Sequence, residues 1–149
     1  MNFPAQLGIL AVTAATFFAP TTAFALTKSE IGAAVKSLDL SQDRQCAKDR
    51  NTGLDIDTDV VDLNGDGSGE VIASVSLHKD LTYCHGQNNA KFVAAKINGK
   101  WLQILSVETI DLKFVPRSGA EWPDAMNTSW GYFDTPVVYR FQNGQYVSD

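Results

Sequence analysis

The sequence predicts a single α+β domain: one N-terminal helix, then about six or seven mostly antiparallel strands, held by one disulfide. Three observations carry that prediction. Helical spacing of apolar residues occurs near the start of the folded part, over 27–38, and strand-like alternation takes over from residue 54. Two Asn-Gly pairs, at 98–99 and 143–144, sit between alternating runs, where a two-residue hairpin turn needs positive φ. The chain of 149 residues is 44% hydrophobic and 19% charged, ordinary proportions for one globular unit.

Before that unit stands a leader. The first 25 residues hold no charged side chain, Leu7 to Phe18 is apolar, and Ala23-Phe24-Ala25 has the small-x-small form of a cleavage site. Pro20, Thr21 and Thr22 interrupt the run short of the ~20 residues a membrane span needs. The expectation is a signal peptide over 1–25, a soluble domain over 26–149, no membrane insertion after cleavage, and a periplasmic or secreted location.

Within the domain, Thr27 and Glu30 have capping-box spacing, and Ile31, Ala34, Val35 and Leu38 form one narrow apolar stripe. Residues 40–53 are polar and read as a long loop carrying Cys46. Leu54 to Leu63 alternates, with Ile56, Thr58 and Val60 on one face and Asp55, Asp57 and Asp59 on the other; Glu70 to His78 alternates too. Runs 92–97 and 101–107 flank Asn98-Gly99 as a hairpin, and 109–115 continues as strand. Residues 116–129 hold Pro116, Gly119, Trp122 and Pro123 and read as an ordered loop. Strand returns over 132–141, with Asn143-Gly144 turning into Tyr146-Val147. No repeat of 20–50 residues is present.

Charge narrows the function classes. Twelve Lys+Arg against seventeen Asp+Glu give −5, which disfavours nucleic acid and polybasic attachment to lipid. Six acids and no bases fall between Asn51 and Glu70; the remaining chain has 11 acids and 12 bases. The net charge therefore arises in one strand and the loop after it. In an oxidising compartment Cys46 and Cys84, 38 positions apart, read most simply as a disulfide. Two free thiols are an alternative, and so is zinc held by Cys46, Cys84, His78 and His85. Zinc is disfavoured by the adjacency of Cys84 and His85 and by the lack of a CxxC pair.

One segment carries recognisable chemistry. In Asp62-Leu-Asn64-Gly-Asp66-Gly67-Ser68-Gly69-Glu70, oxygen side chains at positions one, three and five can converge on a hard cation as the backbone curls. Ser68 would offer its carbonyl, and Glu70 at position nine would close the shell. All-oxygen donors on a flexible loop suit Ca2+ better than zinc or magnesium. Asn-Gly-Asp-Gly is also a good metal-free turn, because Asx side chains cap their own backbone.

The loop resembles the calcium loop of FG-GAP and VCBS-type repeats, where Asp-x-Asn/Asp-x-Asp-Gly-x-x-Asp/Glu lies between two strands. The resemblance implies Asp62, Asn64, Asp66 and Glu70 as side-chain ligands. The loop departs from a helix-loop-helix site in having Ala73 at position twelve, Gly69 at position eight and strand-like flanks, and from a propeller in having one repeat. The layout over 55–147 is also similar to small exported bacterial proteins of unassigned function. The shared features are this acidic loop, a Cys soon after it, Gly99-Lys-Trp101, and Phe141-Gln-Asn-Gly-Gln-Tyr146. Where such proteins carry a Cys pair, this chain has Cys84 alone, and the expectation is that it uses Cys46 instead.

The remaining polar and aromatic residues carry weaker chemical signals. No nucleophile elbow or metalloprotease helix accompanies His78 and His85, which read as surface or loop histidines. Asp55, Asp57 and Asp59 could be paired carboxylates for glycoside hydrolysis, but on one strand face they read as a solvated edge or auxiliary cation ligands. Trp122 and Trp130 lie in or beside the Pro-containing loop, as core or as anchors for a partner. The expected function is a non-enzymatic, calcium-stabilised module that binds another exported protein. The alternative is an inhibitor or immunity protein against a cell-wall hydrolase or toxin, and a small hydrolase is a third class.

Overall fold

The computed structural model describes residues 25–78, 84, 89–128 and 136–148. The leader expected over 1–25 lies outside them apart from Ala25, as do His85 and Trp130. Among the described residues no helix is long and apolar enough to cross a membrane.

Two helices lead: α1 (Lys28–Lys36) and α2 (Ser41–Asp49). The capping box at α1 is complete, with Thr27 N–H donating to Glu30 Oε2 at 2.9 Å and Glu30 N–H to Thr27 Oγ1 at 3.2 Å. Ala34 and Leu38 of the expected stripe are buried, and Ile31 and Val35 half-buried. The second helix corrects the loop expected over 40–53. Its sequence offers almost no apolar periodicity, and its N-cap Leu40 makes no side-chain cap. Tertiary fixings replace local ones: Leu40 and Ala47 are buried, and Cys46 is joined to Cys84 at a Cα–Cα distance of 5.9 Å. The expected disulfide is therefore present.

Eight strands follow: β1 (Leu54–Val61), β2 (Glu70–Leu77), β3 (Asn89–Ile97), β4 (Lys100–Thr109), β5 (Asp111–Val115), β6 (Asp124–Thr128), β7 (Val137–Gln142) and β8 (Gln145–Ser148). They form two four-stranded antiparallel sheets in sequence order, β1-β2-β3-β4 and β5-β6-β7-β8. Asn98 and Gly99, with φ of 50° and 77°, and Asn143 and Gly144, with 51° and 88°, hold the positive angles of the two hairpin turns. The chain crosses between sheets at Thr109 to Asp111, where fully buried Thr109 donates its hydroxyl to Asp111 O at 2.7 Å.

β6 was concealed within the expected 116–129 loop. Asp-Ala-Met-Asn-Thr has no alternating β-branched pattern, yet the strand is internal to its sheet, between β5 and β7. Buried Asn127 helps fix it, its Oδ1 accepting from Val137 N–H at 2.9 Å.

Two cores make three layers. The first lies between α1 and the helix-facing side of the first sheet: Ala34, Leu38 and Leu40 against Val71, Val75, Phe92 and Ala94. The second lies between the sheets: Val93, Ile104, Leu105 and Val107 against Ala125 and Tyr146, with Trp122 and Phe141 at its margin. β2 and β3 feed both, which is why Val71 and Ala73 face one core while Ile72 faces the other. β1 is an edge strand, and its Asp55, Asp57 and Asp59 are exposed, as the alternation predicts.

Candidate functional site

The segment 62–70 joins β1 to β2 and wraps its own backbone. Asp62 accepts from Gly65 N–H at 2.7 Å through Oδ1 and from Gly67 N–H at 3.1 Å through Oδ2. Asn64 Oδ1 accepts from Asp66 N–H at 3.1 Å, and Asp66 Oδ1 from Ser68 N–H at 2.7 Å. The Asn64 amide donates to Asp66 Oδ2 at 3.0 Å. Gly65 and Gly67 sit at φ of 75° and 87° with no heavy atom near a notional Cβ, so each is required by backbone angle and not by space.

Glu70 differs from its neighbours in burial. It is 2% exposed, at the first residue of β2, and its Oε2 accepts from Leu63 N–H at 2.7 Å. Burial pushes its carboxyl up to about 7, against the pull of the Leu63 N–H, and the charges of Asp66 and Asp62 add to the rise. Leu63 itself packs on the inter-sheet core. Tyr146 of β8, buried in that core, donates to Pro123 O at 2.9 Å, and its phenol is held above its usual range by burial first and by the Glu70 charge next. The loop thus ties β1 to β2 and packs through Leu63 on the core between the sheets.

Asp62, Asn64 and Asp66 fold onto the backbone of one curl, with Ser68 inside it and Glu70 at its exit into β2. Among the described residues, however, no three His, Cys, Asp or Glu side chains are gathered closely enough to hold a metal by themselves. A cation here would have to recruit the Asn64 amide oxygen and the Ser68 carbonyl, and draw the carboxylates inward from the N–H groups they now accept from. The donor chemistry, oxygen throughout with a buried carboxylate beneath, fits Ca2+.

The remaining candidates separate. His78 meets Asp55 at 2.9 Å, both about half exposed, at the far end of β1 from the loop. The zinc set is not assembled, since both cysteines are consumed by the disulfide. Trp122 stacks on Phe141 with centroids 4.3 Å apart and meets Tyr146 edge-on at 6.4 Å. It borders an open hollow of about 430 Å³ formed with Arg117, Ser118 and Gly119. Sequence reasoning missed one polar row: Asp57, Ser74 and Lys91 are in register across three strands, and Lys91 Nζ donates to Ser74 Oγ at 2.7 Å. Strand alternation could have placed each residue on its face, but not the pairing that aligns them.

Comparison of the chain with protein-family models, curated proteins and solved structures found no match.

Proposed function

We propose that the protein is an exported, non-enzymatic binding module stabilised by Ca2+ in the 62–70 loop, with another exported protein as its partner. The observation that carries the metal reading is the curl itself, with Asp62, Asn64 and Asp66 turned onto the loop backbone above the buried Glu70. Such a loop, like the FG-GAP and VCBS-type loops it resembles, concentrates like charges that a divalent ion relieves. The ion would be structural, holding β1, β2 and the Leu63 contact to the inter-sheet core in one arrangement. Open extracellular sites hold calcium at ~10⁻⁴–10⁻³ M. At about 10 mM Ca2+ that affinity stabilises the fold by roughly 1.4–2.7 kcal/mol. Calorimetric titration and a thermal melt with Ca2+ or chelator test it. Heat and a raised Tm that vanish together in Asp66→Ala support the reading, and no response up to 10 mM sinks it.

The place of Trp122 changes within this reading. Its ring packs on Phe141 and Tyr146 while staying partly exposed, so it supports the second core and leaves part of its surface for a partner. The inhibitor or immunity reading is favoured by a different observation: Asp57 and Asp59 are exposed and, among the described residues, neither side chain makes a hydrogen bond or ion pair. An acidic strand of that kind suits a basic hydrolase or toxin, whose association would slow steeply as salt rises.

A further inference from the structure

An edge strand leaves half of its backbone groups without a strand partner, and natural proteins blunt such edges with bulges, prolines, charged side chains or a covering element. β1 has no bulge and no proline, and its charges are the aspartates Asp55, Asp57 and Asp59, which repel an acidic strand and attract a basic one. All eight of its residues hold unbroken register with β2, from Leu54 against Leu77 to Val61 against Glu70. Among the described residues, no backbone hydrogen bond outside that pairing reaches 55–61.

The two faces of this edge differ in chemistry. On one, Asp55, Asp57 and Asp59 stand exposed, and among the described residues only the Asp55 side chain is engaged, by His78. Successive carboxylates on one strand face lie about 7 Å apart. On the other face, Leu54 and Ile56 of β1 line an open groove of about 570 Å³ together with Arg44, Ala47 and Lys48 of α2.

We propose that β1 is a docking edge for an extended segment of the exported partner, bound by strand addition, with Lys or Arg at every second position and short apolar residues between. This rests on the binding-module reading and names its surface. Main-chain pairing supplies attraction, and the alternate side chains supply selection. Cations spaced two residues apart come opposite Asp55, Asp57 and Asp59, at the separation where cross-strand pairs interact. The intervening residues enter the α2 groove, where Arg44 and Lys48 repel a further cation and Leu54 and Ile56 accept an apolar group. A uniformly basic segment is therefore a poorer fit than an alternating one. A second copy of β1 is excluded as occupant, because pairing two such strands sets Asp against Asp.

Four fluorescein-labelled ten-residue peptides test this against the purified chain in Ca2+ at physiological ionic strength, by fluorescence anisotropy. One alternates Lys and Val; a second has the same composition in two blocks. The third and fourth are alternating peptides N-methylated on one or the other set of alternate residues. The expected result is at least tenfold tighter binding of the alternating peptide than of the block peptide. One N-methylated peptide should be lost and the other retained, since only alternate N–H groups face the edge. Asp57→Lys should weaken binding at least tenfold, with Asp57→Asn as the milder variant should the first fail to fold. Equal binding by block and alternating peptides, or indifference to both N-methylations, would mean charge attraction alone and overturn the proposal. No binding by any peptide overturns it as well. If the chain and its Asp57→Lys variant capture the same stoichiometric exported protein, the binding module stands and the edge is wrong; capture of nothing counts against the module itself.

Discussion

Replacing Glu70 by Gln removes a charge that the fold buries and that a cation would require. The Glu70 carboxyl rises from an ordinary 4.5 to about 7 in the folded chain, chiefly because it is desolvated. The folded state therefore holds a proton that the unfolded state has released, and stability falls as pH rises through that window. At 1.36 kcal/mol per pH unit, the cost is about 3 kcal/mol by pH 7.5 in chelator. For a domain of this size that lowers Tm by about 10 °C. Glu70→Gln keeps the shape and an acceptor for the Leu63 N–H, so its Tm in chelator should be flat where the parent declines between pH 4.5 and 7. Calcium should reverse the slope in the parent, because the ion binds the ionised carboxylate, and should do little for Glu70→Gln. Thermal melts read by circular dichroism over that pH range, with calcium and with chelator, give four curves. Parallel parent and variant curves in chelator would refute the argument that Glu70 is buried beside Asp62 and Asp66 at its own expense.

Other perturbations have equally definite outcomes. Reducing Cys46–Cys84, or replacing both by Ala, should cost about 4 kcal/mol by the loop-entropy model for a separation of 38, seen as a lower denaturation midpoint; α2 should lose hydrogen-exchange protection first, having no side-chain cap. Gly67→Ala puts a Cβ at φ of 87° where nothing crowds it, so backbone strain alone should cost about 1–2 kcal/mol in chemical denaturation and weaken calcium uptake. Trp122→Ala should lower stability by about 2–3 kcal/mol through lost contact with Phe141 and Tyr146; an unchanged melt with weakened partner capture would instead mark Trp122 as a surface anchor.

Much of the fold is legible where local chemistry and tertiary placement agree. Thr27 and Glu30 announce the start of α1, Asn98-Gly99 and Asn143-Gly144 announce their turns, and Asp55, Asp57 and Asp59 announce the exposed face of β1. α2 and β6 are illegible for the same reason in two forms. The helix is stabilised by a disulfide and two buried side chains, and the strand by neighbours on both sides, neither of which leaves a periodic pattern in nine or five residues. The loop residues were legible because Asx side chains and glycines act on their own backbone, within a few positions. The burial of Glu70 was not, since it depends on the second sheet lying close by.

The sequence by itself determined the α+β class, the Cys46–Cys84 pairing as the simplest use of two cysteines, the two Asn-Gly hairpin turns and the tight Asx-glycine curl over 62–68. These follow from short-range sterics, hydrogen bonding and cysteine count. Tertiary structure alone decided that eight strands divide into two sheets at Thr109 to Asp111, that Glu70 is buried, and that β1 lies at an edge with α2 beside it. Those outcomes depend on which apolar face covers which. That choice is made by contacts between residues far apart in the chain, where local periodicity carries no signal.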